Sequence, residues 1–445
     1  MKQTIYIDPK QPLQTMEGFG VSGAWWARIV GAWSPQNRAA LLKLLFSQED
    51  GMGIGTYRYN LGGGSAESGK GTFPNACRRA SSFDDGNAYD WSRDAAAVRV
   101  LREAVELGAD DVVFFVNSPP EQFTASGATQ CAKAFRENLP KKNHRKFAQY
   151  VLDVTEHFLA DGIPVRTISP VNEPFWIWTA GNGQEGCHYR PSSVRAVFSV
   201  FAEEMDKRPA LRDVMLSGAE NGDLRFFNRA YTNAVLKNTP AVAKRLDGVD
   251  THSYRVAVPW FFKSAKRAYR KWMDKKYPTV KLRTSEWTHM EGGRDLGMDS
   301  ALEQAKIMFE DLELLRAVSW QHWVAVSDVN YNDGLIYIDP PAETYKVTKR
   351  LYAFGNFSKF VKAGFVCVKT GGGGNLQTLA FQKDNQTVLI VINQTRAAKT
   401  IDIAGVNGAA KQYITDAVRD LAEESVNLNT ITIPPRSVNT VVFSS

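Results

Sequence analysis

The sequence predicts an α/β protein, a closed (β/α)8 barrel of the TIM type with a side β-sandwich. Three observations predict it. Eight apolar, strand-like runs alternate with amphipathic helices between about residues 16 and 359. Beyond residue 360 the texture changes to short strands with polar turns. A strand-like segment at 3–8 precedes the first barrel unit and is expected to join the sandwich from the other end of the chain. The expected division is therefore 12–360 for the barrel and 1–11 plus 361–445 for the sandwich.

The barrel strand candidates are 18–22, 53–60, 111–117, 165–173, 213–220, 246–254, 279–287 and 317–324. Long apolar stretches suit parallel strands covered on both faces. Helix ends are legible between them. Ser34-Pro35 sets a capping serine before a proline at the first helical position. Ser92 is read as opening a helix that Gly108 closes. Asn143 opens another, with Phe147, Tyr150, Val151, Val154 and Phe158 on one face and Gly162 at its end. An open doubly wound sheet would normally show a glycine-rich phosphate turn; Gly62-Gly63-Gly64 lacks GxGxxG spacing. In the C-terminal region Gly371 to Gly374 reads as a flexible turn. Strands are expected at 377–382, 386–393, 400–404, 411–416, 426–434 and 437–443, with a helical patch at 416–423.

The 445 residues, 44% of them hydrophobic, suffice for one large core and a smaller one. A net charge of +7 is spread along the chain. The dense basic run at 263–276 has helical spacing and reads as a solvated helix face, so no nucleic-acid partner is expected. No stretch approaches the roughly 20 apolar residues of a membrane span. The opening Met1-Lys2-Gln3-Thr4-Ile5-Tyr6-Ile7 lacks the apolar core of a secretory leader. As written, the chain is expected in the cytoplasm; a secreted protein stripped of its leader would start the same way. Cys77, Cys131, Cys187 and Cys367 form no CxxC pair and are expected as free thiols. His289 and His322 have no ligand-spaced companions, so neither a metal nor a cofactor is expected. No GxSxG elbow is present, and no obligate protein partner is evident.

In such barrels the C-terminal strand ends form the site. The second strand delivers Arg58 and Asn60 there, and the third Asn117 and Ser118. The fourth delivers Asn172 and Glu173, and the fifth Glu220. The sixth delivers His252 and Tyr254, the seventh Glu286 and Trp287, and the eighth His322 and Trp323. Glu173 and Glu286 close two buried strands on opposite sides of the opening. Two carboxylates about 5 Å apart across a sugar ring perform retaining glycoside hydrolysis, whereas about 6.5–9.5 Å gives inversion. Arg58 and Tyr254 are placed to hold an ionised Glu286, and Asn172 to meet a sugar hydroxyl. Glu220 reads as a structural ion-pair member. Trp25, Trp176, Trp178, Trp287 and Trp323 lie at or just past strand ends as sugar platforms or loop packing, with Trp323 the expected floor. His188 sits on a long loop as a further substrate contact. The loops 61–89 and 175–190 exceed ordinary connection lengths and read as cleft walls.

These motifs, taken in order, resemble glycoside hydrolase family 30 of clan A. The resemblance rests on Gly18-Phe19-Gly20, Tyr57-Arg58-Tyr59-Asn60, Asn117-Ser118-Pro119-Pro120, Asn172-Glu173-Pro174, Asp250-Thr251-His252-Ser253-Tyr254 and Ser285-Glu286-Trp287. It implies a retaining β-glycosidase with Glu173 as acid/base, Glu286 as nucleophile and a carbohydrate substrate. Trp25-Trp26 and Gln184-Glu185-Gly186-Cys187-His188-Tyr189 are similar to the endo-β-1,6-galactanase members. The family also includes glucanases, glucosylceramidases, β-glucuronidases and xylanases, and a catalytically silent carbohydrate-binding barrel is the alternative of a different class. One departure stands out: Glu121-Gln122 occupy positions where family members carry bulky aromatics.

Overall fold

The computed structural model describes residues 3–224, 228–254, 262–406, 408–426 and 430–444. Eight parallel strands close into a barrel: β2 (Gly18–Ser22), β3 (Thr56–Asn60), β4 (Asp111–Phe115), β5 (Val165–Ser169), β6 (Met215–Asn221), β7 (Leu246–His252), β8 (Lys281–Trp287) and β9 (Ser319–Ser327). The ring closes because β9 pairs with both β2 and β8. A hairpin, β10 (Gly334–Asp339) and β11 (Thr344–Val347), extends β9 outside the ring and was not expected from the sequence.

The second sheet has nine strands. Its order is β17-β16-β19-β14-β13-β12-β1-β15-β18, with β1 (Gln3–Thr15), β12 (Val366–Gly372), β13 (Gln377–Lys383), β14 (Gln386–Asn393), β15 (Lys399–Ala404), β16 (Ala409–Thr415), β17 (Ala422–Ser425), β18 (Ile431–Ile433) and β19 (Ser437–Ser444). The N-terminal segment does join it, antiparallel to β12 and parallel to β15.

Several expectations are corrected. Gly371 and Gly372 belong to β12 and pair with Tyr6 and Ile5, so the glycine run begins as strand before it turns. The 416–423 patch is not helical. Asp416 accepts from the Val418 and Arg419 amides, forming a turn that leads into β17. The expected strand 426–434 includes 427–429, which lie outside the described residues; 431–433 form β18. The helix expected from Ser92 begins at Ala95, after Asp94, because the Ser92 hydroxyl turns back to Asp90. Within the basic helix Phe262–Lys276, Lys266 is buried against Asp311 and departs from the solvated face.

Alternation along β14 joins the two units. Val388, Ile390 and Ile392 pack with the barrel's core, while Leu389 and Val391 fill the sandwich. The helix Lys349–Ser358 lies between them. Its Phe354 is fully buried against Phe19 and Trp320, with ring centroids 6.0 and 5.8 Å away. Asn356 donates to Tyr413 O and Thr440 Oγ1 of the sandwich. Among the described residues no helix is long and apolar enough to cross a membrane, and all four cysteines are free.

Phe354→Ala leaves a cavity where barrel, helix and sandwich meet. It should lower unfolding free energy by about 3–5 kcal/mol, read as an earlier urea midpoint. An unchanged midpoint would show that the contact contributes nothing.

Candidate active site

Period-two alternation decides which side chains reach the barrel axis. On β3, Arg58 points inward while Tyr57 and Tyr59 join the core. On β7, Asp250 and His252 point inward. On β8, Arg283 and Ser285 follow the alternation inward; the register then shifts, so that Glu286 also reaches the axis while Trp287 packs outward. Glu173 follows β5 and adopts φ 40°, and Glu220 near the end of β6 adopts φ 49°. Left-handed backbone is unusual for a glutamate and aims both side chains away from the ordinary strand direction. The Glu173 amide donates to Glu220 O at 3.0 Å, tying the two exits together.

His252 is the hub. Its Nδ1 lies 2.9 Å from Glu173 Oε1 and 3.4 Å from Glu286 Oε1, and its Nε2 lies 3.0 Å from Glu220 Oε2. Burial works against a charged imidazole, but Glu286, Glu173 and Glu220 overcome it and raise the pKa to about 10. Arg58 is the second cation. It donates to Glu286 Oε2 at 2.8 Å, to Glu220 Oε1 at 3.2 Å and to Asn172 Oδ1 at 3.1 Å, and its guanidinium lies over the Phe115 ring at 3.7 Å. Tyr254 OH donates to Glu286 Oε1 at 2.9 Å. Burial would raise Glu220, yet Arg58, His252 and Ser285 hold it well below the usual carboxylate range. Burial raises Glu286, against the pull of His252 and Arg58. Every partner of Glu286 in hydrogen-bond geometry is a donor, which suits the ionised form.

One oxygen from each of Glu173 and Glu286, with a nitrogen of His252, all lie within 4.8 Å of one another. Three such atoms could hold a metal. Both ring nitrogens of His252 already lie against carboxylates, Nδ1 on Glu173 and Nε2 on Glu220, an arrangement that suits the imidazolium. The imidazolium itself sits where a cation would.

Above the carboxylates a cavity of about 780 Å³ opens, lined by Trp25, Arg78, Trp176, Tyr254, Met290 and Trp323 among others. Its size fits a small ligand or a short run of sugar units. The Trp25 and Trp323 rings meet edge to face at 5.2 Å, and the Arg78 guanidinium lies over the Trp25 ring at 3.8 Å.

The structure thus brings Arg58, Asn172, Glu173, Tyr254 and Glu286 together, with Asn117 accepting from Asn172 at 3.0 Å. Trp25 and Trp323 line the cavity. Three residues expected as substrate contacts lie outside the cavity lining. Asn60 accepts from Asn117 Nδ2 at 3.5 Å and is not among the cavity-lining residues. Trp287 is buried against Trp320 and His322, on the outward side of its strand. His188 is buried behind the wall, with Nδ1 3.3 Å from Trp176 O. Glu121 bonds Ser68 in the neighbouring loop at 2.7 Å and lies outside the cavity lining. Sequence reasoning placed His252 at the rim without giving it a role; its position one alternate step before Tyr254 was the available signal. Arg78 lies far from any strand end, and Met290, three residues past β8, carries no polar group to mark it.

Comparison with known proteins agrees with this architecture. The family model "O-Glycosyl hydrolase family 30" matches residues 2–337, and "Glycosyl hydrolase family 30 beta sandwich domain" matches 366–441. The chain belongs to glycoside hydrolase family 30. As a family 30 protein it is an O-glycosyl hydrolase. It is 25% identical to an endo-beta-1,6-galactanase of Hypocrea rufa over 440 aligned residues, covering 91% of this chain and 85% of that one. A conserved exported protein from Bacteroides fragilis superposes with TM-score 0.90 at 23% identity, covering 99% of this chain and 100% of that one. The catalytic domain of a family 30 xylanase C from Talaromyces cellulolyticus does so with TM-score 0.78 at 16% identity, covering 99% and 100%.

Two outcomes are expected. A methyl at Gly222 would lie 2.7 Å from Glu173 Oε1, so Gly222→Ala should lower kcat about 10–100-fold by displacing that carboxylate; steady-state kinetics on a soluble enzyme would read it, and wild-type kcat would disprove the contact. Tyr254→Phe removes a donor that favours ionised Glu286. The Glu286 pKa then rises, and the acidic limb of the kcat/KM profile should move to higher pH. A superimposable profile would count against that bond.

Proposed function

We propose that this protein is a retaining β-glycosidase that cleaves β-1,6-linked galactan internally by double displacement. The observation that carries the reading is the approach of Glu173 and Glu286 oxygens to within 4.8 Å, which fits the separation of retaining enzymes, about 5–5.5 Å, and leaves no room for the water of an inverting one.

The roles follow from charge. Arg58 and His252 supply two cations beneath three carboxylates. Glu286 accepts from Arg58 and Tyr254, and Glu220 from Arg58, Ser169 and Ser285. Glu173 faces only His252 among the described side chains and has 15% of its side chain exposed, against 6% for Glu286. Glu173, the more exposed of the pair, faces the leaving group and serves as the acid/base. Glu286, gripped by donors, attacks the anomeric carbon and forms a glycosyl ester while Glu173 protonates the departing oxygen. In the second step Glu173 takes a proton from water, which attacks the anomeric carbon and frees Glu286. His252 holds both carboxylates in register and stays protonated. Trp323 and Trp25 offer apolar faces to the sugar.

The galactan assignment is supported by the galactanase relative from Hypocrea rufa. The xylanase neighbour makes β-xylan the comparison substrate. Product sizing on β-1,6-galactan, β-1,6-glucan and glucuronoxylan tests it, with galacto-oligosaccharides from the first as the expected result; activity confined to another glycan would overturn it.

Glu286→Gln should cut turnover at least about a thousand-fold while the fold melts as in wild type. Glu173→Ala should slow natural substrates about 10²–10⁴-fold and aryl glycosides with good leaving groups far less. Equal losses on both substrates would remove the acid role.

A further inference from the structure

Phe135 is out of place by ordinary rules. It sits at the third position of a turn in which the Arg136 amide donates to Lys133 O at 3.3 Å. Its φ is 55°, a conformation that turns reserve for glycine or asparagine and that strains a bulky aromatic. The ring is 54% exposed, so burial does not offset that strain. Glycine or asparagine would make the same turn at lower cost.

Its neighbour gives the reason. The Phe135 ring meets the His188 ring edge to face at 6.0 Å. His188 in turn holds the backbone of Trp176 through Nδ1. Trp176 is itself 48% exposed and lines the cavity over the carboxylates. His188 thus meets the exposed Phe135 ring and also the backbone of the cavity-lining Trp176. Burial lowers the His188 pKa below its ordinary value, so its neutral ring suits an apolar support.

We propose that Phe135 is the aromatic platform of a distal subsite, reached from the catalytic cavity across Trp176, and that it binds a sugar ring of a continuing β-linked glycan chain. The proposal rests on the reading of the cavity as a glycosidase cleft. It deepens that reading, because a platform outside the cavity serves only a substrate long enough to extend past it. Pyranose C–H faces pack on aromatic rings through the same apolar contact that orders aromatic pairs. His188 acts as a positioning residue that supports the Phe135 ring and holds the Trp176 backbone, and it touches no substrate.

The test is Phe135→Gly, which removes the ring and relieves the left-handed strain. The variant should melt at or above the wild-type temperature. On β-1,6-galactan polymer its KM should rise about three- to ten-fold, with the product distribution shifted. On 4-nitrophenyl β-1,6-galactobioside, too short to reach the ring, kinetics should match wild type. Unchanged polymer KM would overturn the platform, and so would equal losses on both substrates. Wild-type protein inert on both would bring down the underlying functional reading, and the inference with it.

Discussion

A protonated imidazole held among three carboxylates is the constraint on which the site depends. His252 contacts Glu173, Glu286 and Glu220 at once. Without that cation, three acidic groups this close in a dry barrel would repel one another or take up protons. With it and Arg58 in place, the like charges can be packed at the spacing that glycosyl transfer requires. The electrostatics set the geometry, since the carboxylates converge because they share partners. Glu220 does no chemistry in this scheme. It orients both cations from below, and its own charge is secured by Ser169, Ser285, Arg58 and His252.

The barrel was legible in the sequence because its strands are continuous apolar runs, and both glutamates were legible because each closes one. Which side chains near the strand ends face the axis was harder to read. Glu286 and Trp287 are neighbours in sequence but face opposite layers, and the same holds for Trp323 and His322. Assigning both members of each pair to the rim ignored the pleat. Trp287 is packed behind the barrel wall, and His322 bonds Asp333 O with its pKa pushed down to about 3 by burial. Arg58, flanked by the core residues Tyr57 and Tyr59, points inward as alternation requires.

Loop residues escaped because their positions are set by long-range ties. Glu185 is fully enclosed and accepts from the Gly63 and Ser65 amides and the Ser65 hydroxyl, which stitches the long loop after β3 to the one after β5. Arg79 ties the same loop through Ser65 O and Lys70 O. Those bonds deliver Arg78 to the cavity. Local propensity has no access to such contacts. In the sandwich, the last two residues of β12 read as turn because glycines supply no side-chain pattern, yet they pair in the ladder when a partner strand is waiting.

That partner is β1, and its pairing has a cost in time. The segment Gln3–Thr15 leaves the ribosome ahead of β12 by some 350 residues, about 20–70 s of synthesis. Throughout that interval it is an orphan edge, open to pairing with other chains. Pro9 and Pro12, which cannot donate to a ladder, and the exposed Lys10 interrupt it where the register with β12 also slips. The irregularity that breaks the finished sheet thus also protects the nascent strand from aggregation.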